Sequence, residues 1–468
     1  MTRYGPNILL ITADQLRQDC VGYSNAYPVR TPNLDSLAAE GTAFVQAYSH
    51  IPVCCPARQS LLRGKRAETF GALWNYSGAL PVGALKPDEF TWSNSLRDNG
   101  YETVFMGKWG VHPEYGPHKY GYSHAILEKE YIDFARSRYP AVTYTNGYFG
   151  EPDPIPLEDS STHWFASRAV EQIERLQATD RPWHLALHFS EPHLPCRPAG
   201  RFASMYDPAE VPEWAGFHET FAGKPYIQKQ QLLNWGIEKF EWSDWAPIVA
   251  RYYGVISQLD DAIGQVLRGL DASGGAADTI VVFTADHGDM CGSHRMMDKH
   301  YILYDDVVHV PLVIRYPPSA QDEGKGGRSR CDKFVYNFLD LAPTFLEAAG
   351  LTEDDPGDLH GRSLLGLVRG QAPDDWRDSV VASYNGQQFG LYTQRMIRTD
   401  RWKYVWNTTD VDELYDLIAD PAELVNRIED DAVSDTIRVL RGKLYDRLLE
   451  DGDALVANEW TRRQLLGG

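Results

Sequence analysis

The chain has 468 residues, of which 43% are hydrophobic and 24% charged, a globular balance that excludes a disordered chain or a fibrous repeat. Its 45 Lys and Arg stand against 65 Asp and Glu, a net charge of −20, which argues against nucleic acid and anionic membrane as partners. An anionic substrate would feel the same field, so a site for one needs cationic groups gathered locally. No stretch approaches the roughly 18 apolar residues that span a bilayer. The short apolar run Ile8–Ile11 leads into Asp14 and not into a signal-peptide cleavage site, so a cytoplasmic location is expected. The six cysteines, Cys20, Cys54, Cys55, Cys196, Cys291 and Cys331, form no CxxC pair and read as reduced. In that compartment the sequons at Asn75 and Asn407 read as chance matches.

In chain order, Asn7 to Thr12 reads as a first buried strand. Thr31 and Pro32 open a helix that runs to Glu40 and stops at Gly41. A helix over Thr91–Asp98 precedes a strand over Glu102–Met106. A helix over Thr162–Gln177 precedes a strand over Trp183–Phe189, and a long helix around Trp245–Leu270 precedes a strand over Thr279–Thr284. Val310–Arg315 is a further strand, and Leu341–Ala349 a helix ending at Gly350. The alternation predicts an α/β fold, a large mostly parallel sheet sandwiched by helices. The polar, glycine-rich stretch Ser319–Arg330 reads as a surface loop. Beyond about residue 370 the texture changes to short strands at Met396–Val405 and Glu413–Leu417 and an amphipathic helix at Asp435–Leu449. A catalytic domain over residues 1–370 and a smaller C-terminal α+β subdomain over 371–468 are therefore expected. The last stretch, Trp460–Gly468, is where a second copy of the chain would be met if the protein is a homo-oligomer.

Ligands of open α/β sheets bind beyond the carboxyl ends of the strands. Two strands end there in suitable donors: the first in Ala13-Asp14-Gln15, the later one in Ala285-Asp286-His287-Gly288. Together they make a four-donor set for a hard divalent cation, although each Asp alone also reads as an ordinary turn residue. A third element is CCPARQSLLRG over 54–64. Pro56 suits the first turn of a helix whose N-terminal N–H groups and dipole would favour an anion at Cys54, and Arg58 adds a fixed cation. A buried vicinal cysteine pair or a redox thiol are the plainer readings of the same residues.

Cys54-x-Pro56-Ala57-Arg58 followed by Leu61-Leu62-x-Gly64 resembles the signature of the type I sulfatases of the alkaline phosphatase superfamily. The resemblance continues in order through most of the chain: NILLITADQ (7–15), TPNLDSLA (31–38), GKW (107–109), EPHLP (191–195), TADHG (284–288), DKHY (298–301), HVPLVIR (309–315), DLAPT (340–344), GRSLL (361–365) and ELYDL (413–417). In that family the motif cysteine is converted to Cα-formylglycine by a formylglycine-generating enzyme. The resemblance thus implies hydrolysis of a sulfate ester to an alcohol and inorganic sulfate. A hydrated aldehyde at position 54 attacks sulfur and then collapses to expel sulfate. It implies metal ligation by Asp14, Gln15, Asp286 and His287 with residue 54, a diol held by Arg58, and sulfate oxygens held by Lys108, His193 and Lys299. One of these groups, or a nearby histidine, would protonate the leaving oxygen.

The match departs from the family in two places. Many sulfatases have Gly-Lys-Trp-His, whereas this chain has Gly107-Lys108-Trp109-Gly110-Val111-His112, so His112 or water is expected to stand in for the missing imidazole. Gln15 and His287 replace the Asp and Asn of some members, which moves the expected metal from Ca²⁺ somewhat towards Mn²⁺ or Mg²⁺. Phosphonate and phosphate ester hydrolases with the same cysteine motif resemble this pattern too; Lys108 favours the sulfatase reading. A non-catalytic anion-binding protein with Cys54 left as a thiol is the alternative of another class. The loops 70–85, 118–148 and 197–242 carry Trp74, Tyr76, Tyr120, Tyr131, Tyr148, Trp214, Tyr226, Trp235 and Trp242, which suits a carbohydrate or aryl sulfate.

Overall fold

A computed structural model describes residues 5–77, 80–317, 329–387 and 390–467. Nine strands precede the C-terminal region: β1 (Asn7–Asp14), β2 (Thr42–Phe44), β3 (Ala47–Tyr48), β4 (Glu102–Gly107), β5 (His124–Leu127), β6 (Trp183–Pro192), β7 (Thr279–Ala285), β8 (Leu312–Arg315) and β9 (Ser329–Cys331). Eight of them form one sheet in the order β5-β4-β6-β1-β7-β8-β2-β9. β1 lies at its centre, parallel to β6 with Leu9 opposite Leu185 and to β7 with Leu9 opposite Val281. Every residue of β1 after Asn7 and Ile8's neighbourhood onward is buried, which a strand reaches only when both faces of its sheet are covered. The sheet is mixed and not purely parallel, because β8 runs antiparallel to β7 and β2.

The covering helices are α1 (Pro32–Glu40), α2 (Cys54–Arg63), α3 (Trp92–Asp98), α4 (Glu128–Arg138), α5 (Ser161–Gln177), α6 (Tyr226–Trp235), α7 (Trp242–Ala272), the one-turn α8 (Asp305–Val308) and α9 (Leu341–Ala349). The group α1, α5 and α7 packs together, as does the group α2, α3 and α9. α7 starts earlier than its apolar periodicity predicts because Glu241 and Asp244 cap each other's backbone at its N-terminus. Of the expected loop 319–330, only Ser329 and Arg330 fall among the described residues, and these pair in β9 with Thr42 and Ala43.

The C-terminal region is a four-stranded antiparallel sheet, β11 (Val380–Gln387), β12 (Gly390–Arg398), β13 (Trp402–Asn407) and β14 (Glu413–Asp416), after the two-residue β10 (Val335–Tyr336). The single strand expected over Met396–Val405 is instead a hairpin. Thr399 and Trp402 close its turn with reciprocal hydrogen bonds, and the apolar residues on either side pair across it, Met396 with Val405. β11 was not anticipated. Alternation places Val381, Ile397, Tyr404 and Leu414 on one face under a C-terminal helix over Ser434–Glu450, while Val380, Ala382, Met396 and Val405 join the main core. The stretch after Asn458 folds back as a short helix, Glu459–Leu466, against that same C-terminal helix, burying Leu465 and leaving Trp460 exposed. Among the described residues no helix is long and apolar enough to cross a membrane.

Candidate active site

Four neighbouring strands, β4, β6, β1 and β7, deliver side chains to one point at their carboxyl ends: Lys108 just beyond β4, His193 just beyond β6, Asp14 and Gln15 from β1, Asp286 and His287 from β7. This is where a doubly covered parallel sheet leaves room for a ligand. α2 brings Cys54 and Arg58 to the same point. Its N-cap is Val53, and Gly64 ends it in the left-handed region (φ 72°) with an N–H bond to the Ser60 carbonyl, which accounts for glycine after Leu61-Leu62-Arg63. Lys299 arrives from the loop that follows β7.

Arg58 is the hub. Its Nη2 donates to Asp14 Oδ2 at 2.9 Å and lies 3.1 Å from Asp286 Oδ2, while Nη1 donates to the Lys108 carbonyl at 3.1 Å and to His188 Nδ1 at 2.9 Å. Lys108 Nζ sits 2.5 Å from Asp14 Oδ2. Lys299 Nζ donates to Gln15 Oε1 and to His193 Nε2, both at 3.0 Å. Two histidine tautomers follow from carbonyl partners, which only accept. His287 Nδ1–H donates to the Gly288 carbonyl at 2.9 Å and His193 Nδ1–H to the Leu194 carbonyl at 2.7 Å, so Nε2 is the nitrogen that each ring turns to the site. His287 Nε2 lies 3.2 Å from Cys54 Sγ.

Burial works against ionising Asp14, but Lys108, His193, Arg58 and His287 hold its carboxyl well below the usual range. Burial and the Asp14 charge instead push Asp286 up. Burial and Asp14 also oppose a thiolate at Cys54, yet Lys108, Lys299 and His287 outweigh them and hold the thiol well below its ordinary value. Cys55 behaves oppositely: burial and its neighbour Cys54 push it up to about 12. The vicinal pair therefore divides into one activated and one inert sulfur, and all six cysteines are free thiols.

Asp14, Cys54, Asp286 and His287 offer ligand atoms that all lie within 4.8 Å of one another. Asp286 Oδ2 is buried and accepts no hydrogen bond. Two carboxylates, an imidazole and the residue at position 54 fit a divalent cation of the Ca²⁺, Mg²⁺ or Mn²⁺ kind. Gln15 is beside them, its N–H on Asp286 Oδ1 at 3.1 Å, but its side chain is engaged with Asp289, Asp298 and Lys299.

A cavity of about 360 Å³ opens over this cluster, lined among others by Cys54, Lys108, His193, Lys299, Tyr76, Tyr148 and Trp235. His112 is not part of it. Its Nδ1 accepts from the backbone N–H groups of Glu114 and Tyr115 at 3.0 and 3.2 Å, so the imidazole that was expected to replace the missing histidine caps a turn. The position itself is closed to any side chain: a Cβ on Gly110 would stand 2.8 Å from Arg58 Cδ, at a φ of 62°. Of the loop aromatics, Tyr120 and Trp214 are core residues.

Several site residues escaped the sequence reading. His188 lies inside the apolar run of β6, where a polar residue on a fully buried strand was a visible but unread signal. Asp298 and His300 were seen in the DKHY motif with Lys299 but given no role; Asp298 lies 3.3 Å from the ammonium and 3.1 Å from His300 Nε2. Glu128, at the start of α4, lines the cavity and accepts a hydrogen bond from Ser190. Neither sequon is a free acceptor: Asn75 Oδ1 accepts the Cys55 N–H at 2.8 Å, and Asn407 is buried with its amide donating to Val411 and Glu413.

A large sheet with an activated residue on a helix N-terminus, facing a buried Asp, Asp and His cluster at the strands' carboxyl ends, is the architecture of an alkaline phosphatase-like hydrolase. The sulfatase family matches residues 6–351, and the C-terminal region of N-sulphoglucosamine sulphohydrolase matches residues 292–450. The chain belongs to the sulfatase family, and with it to the sulfuric ester hydrolases. It is 28% identical to an arylsulfatase of Clostridium perfringens over 95% of this chain and 94% of that one. It is 24% identical to an N-acetylglucosamine-6-O-sulfatase of Bacteroides thetaiotaomicron over 90% of this chain and 82% of that one. The crystal structure of a phosphonate monoester hydrolase of Agrobacterium radiobacter superposes with a TM-score of 0.81 at 26% identity, covering 95% of this chain and 96% of that one.

Proposed function

We propose that this chain hydrolyses the sulfate ester of a small alcohol, most closely a carbohydrate, at the cavity over Cys54. The observation that carries the reading is the convergence of Lys108, Lys299 and the His193 imidazole on an activated residue 54 beside Asp14, Asp286 and His287. A formylglycine made from Cys54 would supply the nucleophilic oxygen, and a divalent cation held by Asp14, Asp286 and His287, with Gln15 joining only if its Oε1 releases Lys299, would supply the Lewis acid. Arg58 locks Asp14, Asp286 and the Lys108 backbone into one frame, so the groups that meet the sulfate are placed before it arrives. Lys108, bound to Asp14 through only one of its three N–H donors, turns the others to the cavity. His193 Nε2 accepts a hydrogen bond from Lys299, and the two side chains line the cavity as a linked pair.

The alcohol is placed in a second cavity of about 700 Å³ that shares Lys108, Glu128, His193 and Leu194 with the first. One stripe of α4, Glu128, Tyr131, Ile132, Ala135 and Arg136, lines it at helical spacing, and no residue of α4 is buried in the core. Rings, carboxylates and a guanidinium around a roomy lobe suit a sugar. The relative that acts on N-acetylglucosamine 6-sulfate supports that choice by its name.

A phosphonate or phosphate ester hydrolase is the second reading, favoured by the close superposition on the Agrobacterium enzyme and by the Gln15 and His287 pair. Two measurements separate the possibilities. Peptide mass spectrometry after co-expression with a formylglycine-generating enzyme should find Cys54 converted; if it stays a thiol throughout, the nucleophile assigned here is wrong and the anion-binding reading replaces it. On converted enzyme, kcat/KM for a matched aryl sulfate should exceed that for a phenyl phosphonate ester, and a phosphonate preference of several orders of magnitude would reverse the ranking.

A further inference from the structure

The C-terminal sheet reaches the cavity over residue 54 at Gln387. β11 ends at Gln387, beside the cavity that Cys54, Lys108 and Lys299 line. A register shift between Tyr384 and Gly386, with Gly386 at φ 125°, bulges the strand just before Gln387, which still pairs with Gly390 of β12. Two hydrogen bonds run from this residue to the residues around the site, and a third carries one of them on to α2. The Gln387 side-chain Oε1 accepts from the Asn75 backbone N–H at 3.0 Å. The Asn75 side-chain Oδ1 accepts from the Cys55 backbone N–H at 2.8 Å. The Gln387 carbonyl accepts from Tyr301 Oη at 2.6 Å, two residues beyond Lys299.

The Cys55 N–H is one of the first donors of α2, which no carbonyl inside the helix can satisfy. Val53, at the N-cap, has no side-chain oxygen to reach it, and no side chain caps the helix from that position. Asn75 supplies the missing acceptor from outside, and Gln387 fixes Asn75. The turn that carries residue 54 is thereby tied to the loop that carries Lys299 through a single amide. We infer that Gln387 is a positioning residue for the reaction at residue 54: its acceptor oxygen holds the start of α2, through Asn75, in register with the sulfate-binding lysines, while its carbonyl steadies the Lys299 loop. This goes beyond the proposed function, on which it rests only for the choice of substrate.

The chain of contacts predicts a specific pattern. Gln387→Met keeps the length of the side chain and loses the acceptor, so kcat on 4-nitrophenyl sulfate per converted site should fall about 10- to 100-fold, the scale of an ångström-level misplacement, with KM changed less than about 3-fold. Gln387→Glu keeps the acceptor and adds a negative charge beside the anion site, so it should restore kcat and raise KM instead. Because the two residues act in series, Gln387→Met combined with Asn75→Leu should be no slower than Asn75→Leu alone, whereas independent effects would multiply. Hydrogen exchange of the peptide spanning Cys54–Arg58 reads the same link without turnover: the Cys55 amide should lose protection in Gln387→Met and keep it in Gln387→Glu.

Wild-type enzyme inactive on sulfate, phosphonate and phosphate esters would overturn the proposed function while leaving the exchange result to decide this inference. Unchanged kcat and unchanged Cys55 protection in Gln387→Met, or multiplicative losses in the double variant, would overturn the inference whatever the substrate.

Discussion

Among the described residues, two buried clusters of acids and bases differ in how many of their donors are spoken for: the one around residue 54 and a second in the C-terminal half. The second sits where the C-terminal sheet meets the catalytic domain. There Lys224 donates to Glu219, to Tyr304 Oη at 2.9 Å and to the Glu423 carbonyl at 2.6 Å. Lys403 meets Asp305 at 2.5 Å, Glu423 Oε1 at 2.7 Å and the Leu303 carbonyl at 3.1 Å. Each ammonium has three donors and each donor has an acceptor. At the active site the Lys108 ammonium pairs with Asp14 alone among the described residues, and part of its side chain faces the cavity. Buried charge therefore does not mark function by itself. The two junction lysines have no donor to spare and fasten two parts of the fold together, although Asp305 and Glu423 also line a separate cavity, whereas Lys108 on the cavity over residue 54 keeps donors that a ligand can use.

That contrast is broken or sharpened by exchanging the two lysines in turn for a residue of similar length without charge. Lys403→Met strands Asp305 and Glu423 in the interior, and removing one partner of a buried ion pair costs about 3–5 kcal/mol. Thermal unfolding should move down by many degrees while kcat of the enzyme that remains folded stays near wild type. Lys108→Met should do the reverse, lowering kcat/KM about 10²- to 10³-fold as the loss of one preorganised charge contact does, with unfolding nearly unmoved. Equal losses of kcat in both variants would erase the distinction drawn here.

The junction also carries a pH signature that the site's coupled groups do not isolate. Burial pushes the Glu219 carboxyl up, but His294 and Lys224 outweigh it and hold the group down at about 2. A carboxyl whose value is depressed on folding stabilises the native state fully above its unfolded value, near 4.5, and loses that contribution as pH falls through its folded value. The drop is on the order of 3 kcal/mol between those limits. In acid unfolding, the stability gap between wild type and Glu219→Gln should be wide at pH 6 and close progressively between pH 4.5 and 2. A gap that stays constant would mean that Glu219 is not the group titrating.

Much of this was readable from sequence, for physical reasons that differ by region. The strands β1 and β7 are buried on both faces, so their residues are almost uniformly apolar and the polar residues ending them stand out; Asp14 and Asp286 were found that way. Lys108 and Lys299 carry no such local signal, since an isolated lysine is ordinarily a surface residue, and only their place in a family pattern singled them out. Asn75 and Gln387 were missed because their importance lies in contacts 20 and 312 residues away along the chain, which no local period encodes. The hairpin at Thr399 was read as one strand because its turn contains neither glycine nor proline.

The smallest expected effect tests the one site residue that the structure removed. His112 was the natural substitute for the histidine that many sulfatases have at position 110, and its imidazole is instead spent on the N–H groups of Glu114 and Tyr115. His112→Ala should leave kcat/KM within about 2-fold of wild type, as a surface change outside the machinery does, with at most a small loss of stability from the turn. Restoring the family's residue is the informative counterpart. In Gly110→His the new Cβ would meet Arg58 Cδ at 2.8 Å, and Arg58 cannot yield, because its guanidinium is fixed by Asp14, His188 and the Lys108 carbonyl. The variant should therefore lose about 10-fold or more in kcat, since displacing Arg58 disturbs both carboxylates at once. A Gly110→His enzyme with improved turnover would show that the site can rebuild the family's arrangement, and that the glycine here is an accident of history and not a requirement of the arginine beneath it.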